Sequence, residues 1–348
     1  MQRRKTVPVS LGRLTLGGER IYIQSMLNVP STDIPGSVAQ AVALEEAGCE
    51  ILRAAIPDKD AVRLIPAIKE RVSIPLVADI HFDYRLALEA LEAGVDKIRI
   101  NPGNIGSPDR IKAVAVACAN RGVPIRIGVN SGSVERHILE KYGGPTADAL
   151  VESGLYNAKL LEEFDFRQIV ISLKSSNVET TVEAYRKLAA RCDYPLHLGV
   201  TEAGTERMGL IKSAIGIGSL LVDGIGDTIR VSLTADPVRE IAAARDILRA
   251  LDLDKGAPQI VACPTCGRTR IDLISLANAV EERLRGVKKP IKVAVMGCAV
   301  NGPGEAREAD IGVAGGDGCG VLFKKGEILR KVPEDRILEE LFAEIEKM

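Results

Sequence analysis

The feature that most constrains the fold is a repeat with a period of about 25–30 residues, running from residue 21 to residue 237. Each unit is a short β-rich run followed by a helical pattern. The strand candidates are residues 21–25, 50–54, 75–80, 97–101, 125–129, 168–173, 196–200 and 228–233. Eight such units in about 250 residues predict a TIM (β/α)8 barrel.

Helical patterns occupy the stretches between these strands. They cover residues 38–47, 61–71, 84–93, 108–120 and 178–191, and Gly48, Gly94 and Gly122 follow three of them where a left-handed C-cap residue belongs. The fifth unit is longer, because residues 140–145 form an extra segment before a helix at 146–163. We interpret this segment as an insertion within the barrel.

A polar, turn-rich stretch at residues 252–258 marks a domain boundary. It predicts a barrel domain over residues 1–251 and a second domain over residues 259–348. The second domain has strand patterns at 259–262 and 292–296, a helix at 272–284, a hairpin of 310–313 with 321–324, and a closing helix at 334–347. The fold class is therefore α/β, a TIM barrel followed by a small α+β domain. The glycine-rich turn at 315–320 lacks the features of a phosphate loop.

The composition excludes several classes of protein. The net charge is −1 and aromatic residues make up 3% of the chain, so nucleic acid is not an expected partner. No apolar run reaches about 18 residues, so we expect no membrane span. The seven cysteines favour reduced thiols in a cytoplasmic protein. We expect Cys49, Cys118 and Cys192 to be small core residues.

Polar side chains stand at the ends of the predicted strands, where barrel active sites lie. One arginine there is often part of a buried ion pair, but five cations from five strands require an anion such as two phosphates. His81 is equally open to a structural and a catalytic role, whereas His137 and His197 lie outside the pattern. The strand-end residues are Arg53, Asp79, His81, Arg99, Asn101, Arg126, Asn130, Lys174, Thr201, Glu202, Arg230 and Ser232.

Cysteines mark a second candidate site. Cys263 and Cys266 have C-x-x-C spacing, and Cys298 follows the apolar strand at 291–296. Three thiolates with a nearby carboxylate suit an iron–sulfur cluster with one weakly held iron. Structural zinc held by these three thiols and Cys319 is the alternative. A thioredoxin-like redox pair is a third reading, but the surrounding pattern lacks the βαβ unit it needs.

The two cysteine segments carry a family resemblance. Cys-Pro-Thr-Cys-Gly-Arg-Thr at 263–269 and Gly-Cys-Ala-Val-Asn-Gly-Pro-Gly-Glu at 297–305 resemble the signature of the bacterial 4-hydroxy-3-methylbut-2-enyl diphosphate synthases, which act in the non-mevalonate isoprenoid pathway. The resemblance covers the whole chain. It implies that Cys263, Cys266, Cys298 and Glu305 ligate a [4Fe-4S] cluster with a unique iron site, and that Cys319 is not a ligand.

The resemblance also implies roles in the barrel. The segments Ala-Asp-Ile-His-Phe at 78–82 and Val-Thr-Glu-Ala-Gly at 200–204 match the family, and Glu202 matches its proposed acid. The implied substrate is 2-C-methyl-D-erythritol 2,4-cyclodiphosphate, reduced with electrons from flavodoxin or ferredoxin. Its expected binding residues are Arg53, Asp79, His81, Arg99, Asn101, Arg126, Asn130, Lys174, Thr201, Arg230, Ser232 and Asn301.

Two further expectations concern the rival function and the assembly. The rival is a zinc-stabilised barrel that binds phosphorylated metabolites without redox chemistry, either as an aldolase-like enzyme, in which Lys174 could form a Schiff base, or as a binding module. The linker at 252–258 has seven residues and extends at most about 25 Å. Because the last barrel helix ends at the face opposite the strand ends, we expect a homodimer in which the second domain serves the partner's barrel.

Overall fold

The computed structural model describes residues 2–254, 256–287, 289–298 and 306–348. The chain divides into two compact units, Met1–Leu251 and Asp252–Met348. Within the described ranges, no helix is long and apolar enough to span a membrane.

The first unit contains the repeat of strands and helices. Two short strands, β1 (Val9–Leu11) and β2 (Leu14–Leu16), precede the barrel. The barrel strands are β3 (Tyr22–Met26), β4 (Ile51–Ala55), β5 (Leu76–Asp79), β6 (Lys97–Ile100), β7 (Ile125–Asn130), β8 (Ile169–Lys174), β9 (His197–Leu198) and β10 (Thr228–Ile229). They pair in parallel in the order β8-β7-β6-β5-β4-β3-β10-β9. A parallel bridge between Ile171 and Leu196 brings the two ends of the sheet together, so the predicted TIM barrel is confirmed.

Strands β9 and β10 are shorter than the predicted runs at 196–200 and 228–233. Beside β9, the Tyr185 hydroxyl takes over part of the strand pairing. It accepts a hydrogen bond from the Leu173 amide at 3.0 Å and donates one to the His197 carbonyl. Tyr185 is fully buried, so a side chain from a helix joins the two strands where the backbone ladder is thin.

The β1–β2 hairpin closes the barrel at the N-terminal ends of its strands. Val9, Leu11 and Leu16 form one buried cluster with Tyr22, Ile51, Val77 and Val170, which are the first or second residues of their strands. The sequence patterns did not indicate this hairpin, because a three-residue strand shows no recognisable alternation.

Helices follow the strands around the barrel. They are α1 (Ile34–Glu46), α2 (Leu64–Lys69), α3 (Tyr84–Glu92), α4 (Pro102–Ile105), α5 (Pro108–Arg121), α6 (Arg136–Tyr142), α7 (Ala147–Glu162), α8 (Val178–Ala189), α9 (Glu206–Val222) and α10 (Pro237–Ala250). A 3-10 helix, Asp60–Arg63, begins the predicted helix at 61–71. Gly48, Gly94 and Gly122 have φ values of 94°, 88° and 63°, which confirms the predicted left-handed helix ends.

The insertion in the fifth unit forms helix α6. This helix ends at Gly143, where φ is 70°, and Thr146 caps the following helix α7 by accepting a hydrogen bond from the Ala149 amide. Helix α7 then contacts both β7 and β8. It therefore takes the place of an ordinary barrel helix, while α6 is the added element.

In its described residues, the second unit is a five-stranded sheet with two α-helices. Its strands are β11 (Gln259–Ala262), β12 (Lys292–Met296), β13 (Ile311–Gly316), β14 (Cys319–Lys324) and β15 (Glu327–Pro333), in that spatial order. The predicted hairpin is confirmed as β13 and β14, whereas β15 was missed because its charged sequence hides the strand period. Helices α11 (Leu273–Leu284) and α12 (Ile337–Glu346) pack on an apolar core of this unit.

Candidate active site

Cations occupy the interior of the barrel. Lys97 and Arg99 alternate with isoleucines along β6, and strand register places Arg126 of β7 beside Arg99. Lys97 and Arg126 are 0% exposed, Arg53 is 3% exposed and Arg99 is 4% exposed. TIM barrels are ordinarily filled by branched apolar side chains, so this polar filling is unusual. The alternation predicted from the sequence is therefore consistent with the burial of these residues.

Asp79 is the carboxylate around which several of these groups gather. Its oxygens lie 3.0 Å from Arg99 Nη1, 3.7 Å from Arg53 Nε and 3.7 Å from His81 Nε2. Burial alone would raise the pKa of Asp79, but Arg53, the His81 hydrogen bond and Arg99 together lower it well below its usual range. Asp79 is thus a fixed negative charge that orients two arginines.

A second carboxylate, Glu240 of α10, lies near Arg230. Arg230 Nε is 3.5 Å from Glu240 Oε2, and Glu240 also accepts hydrogen bonds from the Ser25 hydroxyl and the Leu233 amide. The Met26 thioether accepts hydrogen bonds from Arg53 Nε and Nη2 at 3.0 and 2.6 Å. Sulfur is a weak acceptor, so it pairs with two of the three Arg53 nitrogens without neutralising the charge of the guanidinium.

Three cations inside the barrel have no ion pair among the described residues. These are Lys97, Arg126 and Lys174, and neither the Lys97 amine nor any guanidinium nitrogen of Arg126 has a hydrogen-bond partner among the described residues. Burial, followed by repulsion from neighbouring arginines, lowers the pKa of all three well below the usual range. Such burial is costly without a counter-charge, so the arrangement favours binding of an anion.

A cavity of about 570 Å³ opens at the C-terminal ends of the strands. Seven of the residues predicted from the sequence line it: His81, Arg99, Asn101, Asn130, Lys174, Thr201 and Glu202. Five others do not line it: Arg53, Asp79, Arg126, Arg230 and Ser232. Of these five, Arg126 is buried completely instead of facing the cavity. Arg126 is therefore separated from the cavity by the residues that line it.

Loop residues that the sequence patterns missed complete the cavity. Phe82 lies next to His81 and is 71% exposed, although large aromatic side chains are usually covered. The other missed loop residues are Asn104, Ser131, Gly132 and Ser133, and the lining also includes Gly128 of β7 and Ser176 just after β8. Strand-end counting finds residues that terminate a strand, but it gives no signal for side chains that a following loop folds back over the mouth.

Glu202 has a strained backbone. Its φ is 51°, in the left-handed region that is unfavourable for a residue with a Cβ, and its side chain is exposed at the cavity. Strain of this kind persists where the surrounding structure holds it and is concentrated at functional sites. The conformation supports a role for this carboxylate at the mouth.

Three of the four cysteines of the second unit, Cys263, Cys266 and Cys298, follow two neighbouring strands. β11 and β12 are parallel and in register from Gln259–Lys292 to Ala262–Val295, so the segments carrying Cys263 and Cys298 leave the same edge of the sheet. Cys263 Sγ accepts a hydrogen bond from the Gly297 amide at 3.1 Å. Hydrogen bonds from Arg268, followed by its charge, lower the pKa of exposed Cys266. A lowered pKa favours the thiolate that binds metal.

Two predicted site residues, the substrate-binding Asn301 and the cluster ligand Glu305, lie beyond what the structure describes. Asn301 and Glu305 fall in residues 299–305, which are outside the described residues. Among the residues that are described, no three His, Cys, Asp or Glu side chains form a group able to hold a single metal ion. Cys49 and Cys118 are buried, as expected for core residues, and Cys192 is half-buried.

Fold and site together define a class of protein: a TIM-barrel enzyme with a cationic mouth suited to phosphate groups, followed by a cysteine-bearing α+β domain. The chain belongs to the GcpE family, since residues 6–245 match the GcpE TIM-barrel domain and residues 259–347 match the GcpE protein C-terminal domain.

Two relatives that match the chain over nearly its full length have the same name. The chain is 58% identical to a 4-hydroxy-3-methylbut-2-en-1-yl diphosphate synthase (flavodoxin) of Geobacillus thermodenitrificans, over 100% of this chain and 93% of that protein. It is 57% identical to the protein of the same name from Bacillus mycoides, over 99% of this chain and 95% of that protein.

Some solved structures share the fold of part of the chain. Dihydropteroate synthase from Yersinia pestis is 14% identical and matches 71% of this chain and 100% of its own, with a TM-score of 0.51. The enzyme from Stenotrophomonas maltophilia is 16% identical and matches 70% of this chain and 97% of its own, with a TM-score of 0.53. At this level of identity the likeness shows a shared fold and nothing about function.

Proposed function

We propose that this chain is an oxidoreductase that converts 2-C-methyl-D-erythritol 2,4-cyclodiphosphate to 4-hydroxy-3-methylbut-2-enyl diphosphate. Two electrons enter, a ring C–O bond opens, and one hydroxyl leaves as water. The shared name of its full-length relatives supports this reaction. The cationic mouth supports a substrate with two phosphates.

One observation carries the proposal: the charge imbalance inside the barrel. Within the described residues, Asp79 and Glu240 are the buried carboxylates that approach the interior cations within 4.0 Å. They face six cationic side chains: Arg53, Lys97, Arg99, Arg126, Lys174 and Arg230. A bound diphosphate would supply the missing negative charge, and arginine forks match phosphate oxygens in geometry.

Each lining residue then has a task. Arg99 and Lys174 would contact phosphate oxygens, and Asn101, Asn130 and Thr201 would donate hydrogen bonds. Arg53, Arg126, Arg230 and Ser232 lie outside the lining and would act from behind it or after a side-chain movement. Asp79 would hold Arg53 and Arg99 in place, with His81 beside it. Asn301 is assigned to the substrate by motif match alone.

Glu202 is the proposed acid. Its carboxyl group is exposed at the cavity, where it can exchange protons with solvent between turnovers. Protonating the leaving hydroxyl converts it to water, which is a far better leaving group than hydroxide. This role needs a protonated carboxyl at the moment of departure, so Glu202→Gln should bind substrate and fail in the chemical step.

The cysteine segments fit a [4Fe-4S] cluster. The ligands would be Cys263, Cys266, Cys298 and Glu305. The shared sheet edge, the Gly297 amide donating to Cys263, and the lowered pKa of Cys266 support a site for thiolates. Amide donors to cluster thiolates tune the potential of such centres. When bound, the cluster supplies single electrons to the substrate.

The electrons would come from flavodoxin, the donor named for the relatives, or from ferredoxin. A homodimer is part of the proposal. Helix α9 carries an exposed apolar stripe. Its members recur at helical spacing and are 41–54% exposed: Met208, Ile211, Ile215 and Val222. Exposed stripes of this kind mark protein interfaces, which supports the association of two chains.

The absorption spectrum after anaerobic purification tests the cofactor. A cluster gives a brown protein with broad visible absorbance and with iron and sulfide in equal amounts. Cys263→Ser, Cys266→Ser and Cys298→Ser should each lose this iron, and Cys319→Ser is the matched control that should keep it. A colourless wild-type protein with stoichiometric zinc would contradict the proposal.

A further inference from the structure

One buried amide in the fifth barrel unit links the start of helix α6 to the segment that follows β6. Asn157 of α7 is 0% exposed, and its side chain makes three hydrogen bonds. Nδ2 donates to Glu135 Oε1 at 2.7 Å and to the Ser153 carbonyl at 2.8 Å, while Oδ1 accepts from the Gly103 amide at 2.7 Å. A buried amide bonded on both sides has a fixed orientation.

The Gly103 amide belongs to α4, a helix of four residues. So short a helix has almost no stability of its own, so its position is set by outside contacts. Asn101, the residue that caps α4, accepts from the same amide at 3.3 Å and donates to the Ser133 carbonyl at 3.2 Å. Asn101 and Asn104 flank or belong to α4, and both line the mouth cavity.

We propose that Asn157 is a positioning residue for the diphosphate site, which holds α4 so that Asn101 and Asn104 present their amides to the mouth. Glu135 orients Asn157 by accepting from Nδ2, which leaves Oδ1 directed at Gly103. Since Glu135 is near the start of α6, the insertion acts as a brace for the neighbouring β6 loop. This inference rests on the proposed function, because it assigns Asn101 and Asn104 to the substrate.

Asn157→Asp tests the brace with almost no change in shape. The new carboxylate can still accept from Gly103, but it cannot donate to Glu135 and repels it. We expect the KM for the cyclic diphosphate and the Kd for inorganic pyrophosphate to rise about tenfold, roughly the worth of one or two hydrogen bonds. The kcat should stay within about twofold. Asn120→Asp, on the exposed end of α5, adds the same charge as a control.

Glu135→Gln provides the rescue. This substitution alone should leave the KM and the pyrophosphate Kd nearly unchanged, because the new amide oxygen would still accept a hydrogen bond from Asn157. Combined with Asn157→Asp, its NH₂ group can donate to the new carboxylate, so affinity should return to within about threefold of wild type. If Asn157→Asp does not fold, Gly103→Ala replaces it, since a Cβ there would lie 2.7 Å from Glu135 Oε1 and displace that side chain.

Melting temperature, pyrophosphate affinity and turnover together distinguish failure of this inference from failure of the proposed function. A lowered melting temperature with unchanged pyrophosphate affinity would show that Asn157 has a structural role only and would overturn the inference. Loss of affinity without rescue in the double variant would also overturn it. If the wild-type protein binds pyrophosphate but never turns over the cyclic diphosphate, the proposed function fails, and the brace is judged by pyrophosphate affinity alone.

Discussion

Gly128 of β7 leaves space for the guanidinium of Arg99. A side chain at position 128 should displace that guanidinium and break its ion pair with Asp79. A Cβ built on Gly128 would lie 2.2 Å from Arg99 Nε, 2.5 Å from Nη2 and 2.7 Å from Cζ. All three distances are far below contact distance, so the guanidinium must leave. Arg99 would then lose its 3.0 Å bond to Asp79 and its 3.1 Å bond to the Gly128 carbonyl.

The cost follows from the burial of the pair. Arg99 and Asp79 are each 4% exposed, and separating a buried ion pair costs about 3–5 kcal/mol. Arg99 can recover part of this by moving into the adjacent cavity of about 570 Å³. We therefore expect Gly128→Ala to lose about 2–4 kcal/mol of unfolding free energy. For a unit of this size, that corresponds to a drop of roughly 10 °C in melting temperature.

Thermal unfolding and calorimetric titration with inorganic pyrophosphate measure the two consequences. The Kd should rise by about 10-fold or more, since Asp79 would no longer hold the Arg99 fork in the orientation that matches the anion. Gly18→Ala is the control, because it adds the same methyl group at an exposed loop position outside the cavity lining, where nothing lies within 4 Å. If Gly128→Ala matches this control in both stability and affinity, Arg99 is not held as described.

Three further changes test separate parts of the account. Lys97→Met should raise the unfolding free energy by about 1–3 kcal/mol at neutral pH, because it removes a buried amine without a partner among the described residues. Since the pKa of Lys97 is lowered in the folded state, the native protein should gain stability as pH rises toward 10.5, and equilibrium unfolding at several pH values should show a smaller slope for the variant. Glu202→Gly should raise the unfolding free energy by up to about 1 kcal/mol, because glycine adopts the left-handed backbone without strain, and it should abolish turnover. An unchanged melting temperature would argue against strain at this position. Mixing inactive Cys298→Ser and Glu202→Gln chains should restore up to about half the activity per mixed dimer if a site uses two chains; no recovery after subunit exchange proven by mass would count against it.

The sequence was sufficient for the barrel because two periodicities coincide. Each strand is a short β-rich run, each helix has its own period, and glycines at 48, 94 and 122 end helices with the expected left-handed backbone. Alternation along β6 also predicted that Lys97 and Arg99 share a face. The β1–β2 hairpin and β15 were not predicted, because they depend on tertiary packing or on pairing at a sheet edge, and neither leaves a local sequence pattern.

The sequence predicted many of the residues at the candidate site, but it did not predict how deeply each is buried or which side chains pair with one another. Strand-end reading found seven residues that line the cavity, but it could not show that Arg126 is fully enclosed or that Asp79 holds two arginines. Those properties depend on which side chain occupies the space between strands. The brace at Asn157 lies on a helix more than fifty residues from Gly103 in sequence, so no local pattern could connect them.

Turnover of the purified cyclic diphosphate is the most direct test of the central claim. Anaerobically purified protein, supplied with reduced flavodoxin, should form 4-hydroxy-3-methylbut-2-enyl diphosphate, detected by mass spectrometry, with two electrons consumed per product. Arg99→Met should raise KM strongly, and Cys298→Ser should form no product. Failure of a protein with its full complement of iron and sulfide to form product, with substrate bound and reductant in excess, would contradict the account.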